Sequence, residues 1–463
     1  MTMHRDRRGL SLTVASQVAV DSFDDTVDAV LGHRSDCASG IAASLLADPE
    51  FLLAHCLNGF ACLIAARQEF MTDAAASLAS ARNSAQSRGA TPREAAYIDA
   101  LAAWYAGDMR RSGDILSAQL RRDPHDLLAI KLHQALHFML GDQRAMLDTL
   151  REVIGAWNET VPGFGFVQGC FAFALEENGA YDSAERLGRR ACELLPSDIW
   201  AAHAVAHVFE MRGEPHSGLR WLEGRADAFA ECNNLTFHLA WHRALFHLAL
   251  DQPEKALVLY DREIRADQTE DYRDIANAAS LLWRLQKSGV NTGTRWRELA
   301  DKAALRLDDP SLVFASMHYL ASLIGDGRHQ AAESLVLSLR RRARRRPTSQ
   351  ANVFETIGLP LAEAMLAASR NQPARVVDLL FPVRDRIVLI GGSNAQRDVF
   401  NQMLIDAAID ANRRGEAQVL VRERWKNAMA ACTRCAALAF RSGGGHAWAC
   451  LAPTAPARPR SCA

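Results

Sequence analysis

Gly107, Gly141, Gly179, Gly213 and Asp251 each stand near the end of an apolar helical stretch, at intervals of 34, 38, 34 and 38 residues. A turn recurring at this period makes the chain a series of like units, each of which buries its apolar face only against a neighbour. One unit can be read between Phe166 and Pro196. Apolar residues from Val167 to Leu175 run into Glu176, Glu177, Asn178 and Gly179, and a second helical stretch starts at Tyr181 and is closed by Pro196. Tyr181 is placed to pack between the two helices, and Ala184 to let their axes approach. The order is helix, tight turn, helix, stop. With a period near 34 it predicts an all-α, tetratricopeptide-type helical repeat superhelix, an α-solenoid.

Boundary residues carry the same message. Thr91, Pro92 and Glu94 supply a hydroxyl cap, a proline at the first helical position and a glutamate three residues after the cap. Asp48-Pro49, Asp123-Pro124, Pro196 and Asp309-Pro310 mark unit junctions, because proline cannot donate to a continuing helix and restricts the residue before it. Weaker units follow at 317–339, 359–380 and 398–424, which brings the expected total to about eight to ten helical pairs. Pro162, Gly163 and Gly165 predict a loop over 158–165, and Gly391, Gly392 and Ser393 another. The chain divides into a flexible N-terminal segment 1–19, a repeat array 20–424 and an irregular, mobile tail 425–463. The Pro/Ala/Arg/Cys-rich tail cannot bury enough apolar surface to offset the entropy of ordering it.

Charge and composition narrow the partners. A formal net charge of −1 gives no long-range field to attract nucleic acid. Six arginines in Arg340–Arg346 lack interleaved aromatic residues for stacking, so they read as a solvated helix end. No apolar run reaches the roughly 20 residues that span a bilayer, and the N-terminus lacks a secretory apolar region, which predicts a cytoplasmic protein without a membrane partner. Cys37, Cys56, Cys62, Cys170, Cys192 and Cys232 sit singly among apolar residues, as free thiols that pack like small hydrophobes do. Cys432 and Cys435 have the spacing of a metal pair, but no second pair follows.

Several segments in order carry a resemblance: Asp48–His55, Arg93–Ala100, Asp126–Lys131, Ala172–Glu177, Trp200–Met211 (WAAHAVAHVFEM) and Phe237–His242. Over approximately residues 20–420 the chain resembles the tetratricopeptide repeat protein 38 family. The resemblance implies a tetratricopeptide superhelix and brings no particular reaction with it.

The residues with most chemistry are His203, His207 and Glu210, whose spacings of four and seven put them on one helical face. Resemblance to the repeat class implies that this face lines the concave side, and the same correspondence adds Lys131, Phe173, Glu176, His238 and Trp241, with His242 next to them. Six of the fifteen histidines fall between 203 and 247, so one stretch of inner face is unusually rich in imidazole. The candidate catalytic set is His203, His207, Glu210 and Glu176; the candidate ligand-binding set is Lys131, Phe173, His238, Trp241 and His242. Imidazole beside carboxylate suits acid–base work near neutral pH and needs no cofactor. The alternative is zinc, with His203 and His207 as its first two ligands. No phosphate-cradling loop and no Gly-x-Ser-x-Gly elbow is present. The sequence therefore points to a small molecule or peptide bound in a His/Glu/aromatic pocket. A hydrolase-type enzyme using the same pocket is the alternative, and a homo-oligomer is allowed by either. Glu176, His203, His207, Glu210, His238 and His242 are expected to converge across three adjacent repeats.

Overall fold

The computed structural model describes residues 4–309, 311–344 and 348–431, with side chains as far as Arg424. Of the irregular tail expected over 425–463, residues 425–431 instead continue the helix Arg414–Ala431; the remainder, with Cys432 and Cys435, and the end of the arginine run lie outside the described residues. The described chain is essentially all-α and is built as a helical repeat, with eleven consecutive helix pairs from Gln17–Leu31 with Cys37–Ala47 to Asn394–Asp410 with Arg414–Ala431.

Every joint between the two helices of a pair contains at least one residue of positive φ. In six joints it is glycine; in the others it is His33, Ala66, Asp251, Asn371 or Asn412, with φ between 51° and 56°. Gly179 shows why. At φ 79° it turns its own N–H onto the Glu176 carbonyl at 2.8 Å and the next N–H, of Ala180, onto the Leu175 carbonyl at 2.9 Å. Carbonyls that the helix end would leave unpaired are thereby satisfied, and the chain reverses at once. Starts are fixed as well: Asp126 and Asp198 accept the Ala129 and Ala201 amides, and Thr91 and Glu94 complete a capping box. Helix begins at Phe164, inside the loop expected over 158–165, because Gly163 at φ 93° already sets the entry.

The N-terminal segment is placed against the first repeats. His4–Arg5 pairs with Ser11–Leu12, Leu12 and Val14 are buried, and Thr13 donates its N–H and hydroxyl to the two oxygens of Glu94, each at 2.8 Å.

Later turns of the superhelix meet earlier ones. The Asn233 amide donates to the His33 carbonyl at 2.7 Å; Gln68 donates to Asp309 at 2.8 Å; the Ser349 amide donates to Gly107 at 3.0 Å. Further on, the Asn394 amide donates to Glu177 at 2.9 Å. Each partner lies about six pairs further along. At Gly141 and Gly391 the backbones come so close that side chains are excluded: a Cβ on Gly391 would stand 2.6 Å from the Met139 carbonyl oxygen. The concave face expected from the repeat class is therefore partly covered by later units. Among the described residues, no helix is long and apolar enough to cross a membrane.

Candidate functional site

Two neighbouring helices build the centre of the interior. Ile199–Arg212 carries His203 and His207; Leu235–Ala249 carries His238 and His242. Four residues make just over one helical turn, so each pair of imidazoles projects from one face. His203 and His238 are separated by 35 residues, one repeat, so the two pairs come level as the first helices of successive units pack side by side. Ala202, Ala204 and Ala206 are fully buried and leave the axes free to approach.

The four rings form one cluster. His203 Nε2 and His238 Nε2 are 3.0 Å apart, and ring centroids are 4.3 Å apart for His203–His207, 4.5 Å for His207–His242 and 4.8 Å for His238–His242. One nitrogen from each ring lies within 4.8 Å of those of all the others. His207 and His242 are wholly buried, and His203 and His238 nearly so. Burial, together with repulsion among the rings, holds His203 and His242 well below the usual imidazole range and brings His238 to about 3; burial brings His207 to about 4. All four are neutral, which is the form that offers a lone pair to a metal. His238 Nδ1 donates to Asn277 Oδ1 at 3.0 Å, and that oxygen also accepts from Gln396. The Nδ1 proton leaves Nε2 of His238 as a lone pair facing His203.

A carboxylate pair stands against one edge. His207 Nδ1 is 3.3 Å from Glu176 and 3.9 Å from Glu177. Burial pushes the Glu176 carboxyl up to about 8, so it is protonated at neutral pH. Glu177 is held from the far side by Arg397 at 3.3 Å. Phe173 stacks on His203 at 5.3 Å, and Trp241 on His238 at 5.2 Å, its Nε1 donating to Ser280.

Beside the cluster opens a cavity of about 140 Å³, with Lys131, Phe138, Trp200, His203, His238 and Asn277 among its walls. Lys131 and two of the imidazoles thus face it, while His207, His242 and Glu176 stand behind, and Phe173 and Trp241 brace the rings. Glu210 is placed apart. Its electrostatic neighbours are Arg284, Asp398 and Arg424, and burial pushes it up to about 7. Seven residues carry it about 10 Å along the helix axis from His203, past the level of the other rings.

Several participants carried little signal in the sequence. Glu177 was visible only as the neighbour of Glu176, and Asn277 only as a polar residue in the next repeat. Asn394, Gln396 and Arg397 arrive from the last described pair and have no local motif. His33 lies at a helix joint and reaches Lys131 across 98 residues. No protein-family model matches the chain.

Proposed function

We propose that this protein is an enzyme of the hydrolytic type, built on a tetratricopeptide-type superhelix related to the tetratricopeptide repeat protein 38 family, whose centre is a divalent transition metal held by His203, His207, His238 and His242. One observation carries the reading. Five of the eight ring nitrogens in the cluster (Nδ1 of His203 and both nitrogens of His207 and His242) are buried without a hydrogen-bond partner in the protein. Each such group costs about 1–3 kcal/mol when left unsatisfied, and a purely structural core would not concentrate them. A metal ion satisfies several at once, and imidazole suits zinc, copper, iron and nickel. The 3.0 Å contact between His203 and His238 already matches the ligand-to-ligand edge of a coordination sphere in which nitrogens stand roughly 2 Å from the metal.

The surroundings support catalysis over storage. Glu176 lies 3.3 Å from His207 Nδ1; a cation held at the other ring nitrogen would favour its ionised form, which would then fix that ring and raise its basicity. His203 and His238 face the cavity, so a substrate carbonyl could approach from that side, where a metal would polarise it and acidify a bound water. A binding-only pocket, the other reading of the interior, has no use for four converging imidazoles.

Elemental analysis of the purified chain, before and after chelation and reloading, tests the proposal. One zinc, iron, copper, nickel or cobalt per chain is expected, falling below a tenth in His203→Ala and His238→Ala and unchanged in His216→Ala. Metal-free protein that takes up none of these ions on reloading would leave the Glu176–His207 acid–base pair as the working centre.

A further inference from the structure

We infer that the cavity beside the histidine cluster binds a small organic monocarboxylate, with its carboxylate on Lys131 and its apolar body against Trp200 and Phe138. The inference deepens the enzymatic reading by naming its substrate class, and rests on that reading only for which end of the ligand reacts. Lys131 projects from the helix Leu127–Leu140, which is otherwise almost wholly buried. Its ammonium contacts His33 Nε2 at 2.7 Å and lies 4.6 Å from the Trp200 ring centre. Neither contact neutralises it. Burial and the nearby ammonium keep His33 uncharged, so its Nε2 accepts from the ammonium and brings no negative charge. Among the described residues, Lys131 has no carboxylate within ion-pair distance.

The other charged groups near this wall already have hydrogen-bond partners. Arg273 is bridged to Asp271 through Nε at 2.8 Å and through a second contact. Asp274 accepts from Asn234 at 2.9 Å and from Thr269 at 2.5 Å. Asp198, a carboxylate that acts on Lys131 electrostatically, is engaged by the Ala201 amide at 3.0 Å. Lys131 is left as the cation of this wall without an ion-pair partner among the described residues, and a single ammonium matches a single negative charge better than a phosphate dianion. Where water is partly excluded a charged hydrogen bond is strong, whereas an uncharged isostere would leave the ammonium without a charge partner.

Distances set the size. The Lys131 ammonium and the His203 ring lie 4.6 and 4.9 Å from the centre of Trp200, so they are at most about 10 Å apart. A carboxylate at Lys131 therefore leaves room for only a short skeleton before the imidazoles are reached. Trp200 adjoins both ends, so its fluorescence would report on a ligand held there.

Titration of the full chain, followed by tryptophan fluorescence and calorimetry, tests this with benzoate and hexanoate against benzamide, hexanamide and phenyl phosphate. The acids should bind at least tenfold more tightly than their amides. The preference should vanish in Lys131→Met and Lys131→Gln and survive in the exposed control His216→Ala. Equal affinity for acid and amide, no saturable binding of either acid, phenyl phosphate binding tenfold more tightly than benzoate, or a preference kept in both Lys131 variants would each overturn the inference. Should neither variant fold, the comparison of acid with amide on unaltered protein still decides. Metal content measured on the same preparations reports separately: acid preference without metal sinks the metal centre alone, and metal without acid preference sinks this inference alone.

Discussion

Glu177 and Arg397 lie 3.3 Å apart across 220 residues of chain, and both side chains are buried. Arg397 also donates to the Asn394 side chain at 2.7 Å, so the guanidinium joins the last described helix pair to the carboxylates behind the histidines. Removing one partner of a buried pair strands the other's charge. Arg397→Ala should therefore cost about 3–5 kcal/mol in chemical denaturation, and Glu177→Ala with Arg397→Ala should cost clearly less than the two changes summed. A loss under 1 kcal/mol for Arg397→Ala would show that the seam closes without this pair.

Gly391 offers a test of how tightly the turns are pressed together. Its φ is 87°, and an added Cβ would meet the Met139 carbonyl oxygen at 2.6 Å. Gly391→Ala should lose about 1–3 kcal/mol from strain and displaced backbone, and should lower metal content as the segment leading to Gln396 and Arg397 shifts. Gly155→Ala meets nothing within 4 Å and should be neutral by thermal melting. Equal melting points for the two variants would contradict the close approach.

A resident ion should also stabilise the fold. A ligand present at a thousand times its dissociation constant adds about 4 kcal/mol, so chelated protein should melt several degrees below reloaded protein. His203→Ala and His238→Ala should show no such gain on adding metal. Identical melting of chelated and reloaded wild-type protein would remove the metal from the account of stability.

Acid sensitivity should trace to Asp126. Burial alone would raise its pKa, but the charge of Arg93, whose guanidinium meets both oxygens at 2.8 and 3.0 Å, and the Tyr97 hydroxyl at 2.7 Å hold it below the usual carboxylate range. The unfolded chain has an ordinary value near 4. Below that value the unfolded state takes up the proton first, so the stability this network adds is complete above about pH 4 and is lost as pH falls through the folded value. Asp126→Asn should be less stable at pH 7, with the gap closing as pH drops towards 3. Urea midpoints across this range would show it, and a constant gap would point to packing instead of charge.

Local signals and long-range ones fared differently. The joints at Gly107, Gly141, Gly179 and Gly213 were legible because glycine is the residue that most freely takes positive φ. His33, Ala66, Asn371 and Asn412 adopt the same geometry, but residue identity does not advertise it, so the count of units came out low. His203 and His207 could be placed on one helical face from spacing, His238 joined them through the correspondence with the repeat class, and His242 could be set only next to that face. Arg397 and Asn394 could not be placed. Their approach to Glu177 depends on the rotation accumulated over many units, and no window of sequence records that sum. Glu210 shows a further limit: helical phase gives direction around an axis, but not the level at which a neighbour's side chain ends.

Open repeat arrays lengthen or shorten by copying or losing a unit, since each touches only its neighbours. The seam here changes that arithmetic. Because His33 meets Asn233, Gly107 meets Ser349 and Glu177 meets Asn394, inserting one unit between any two such partners would displace every later contact by a whole repeat. Copy number in this lineage should thus be frozen, and length variation confined to the two ends and to loops that face away from the seam.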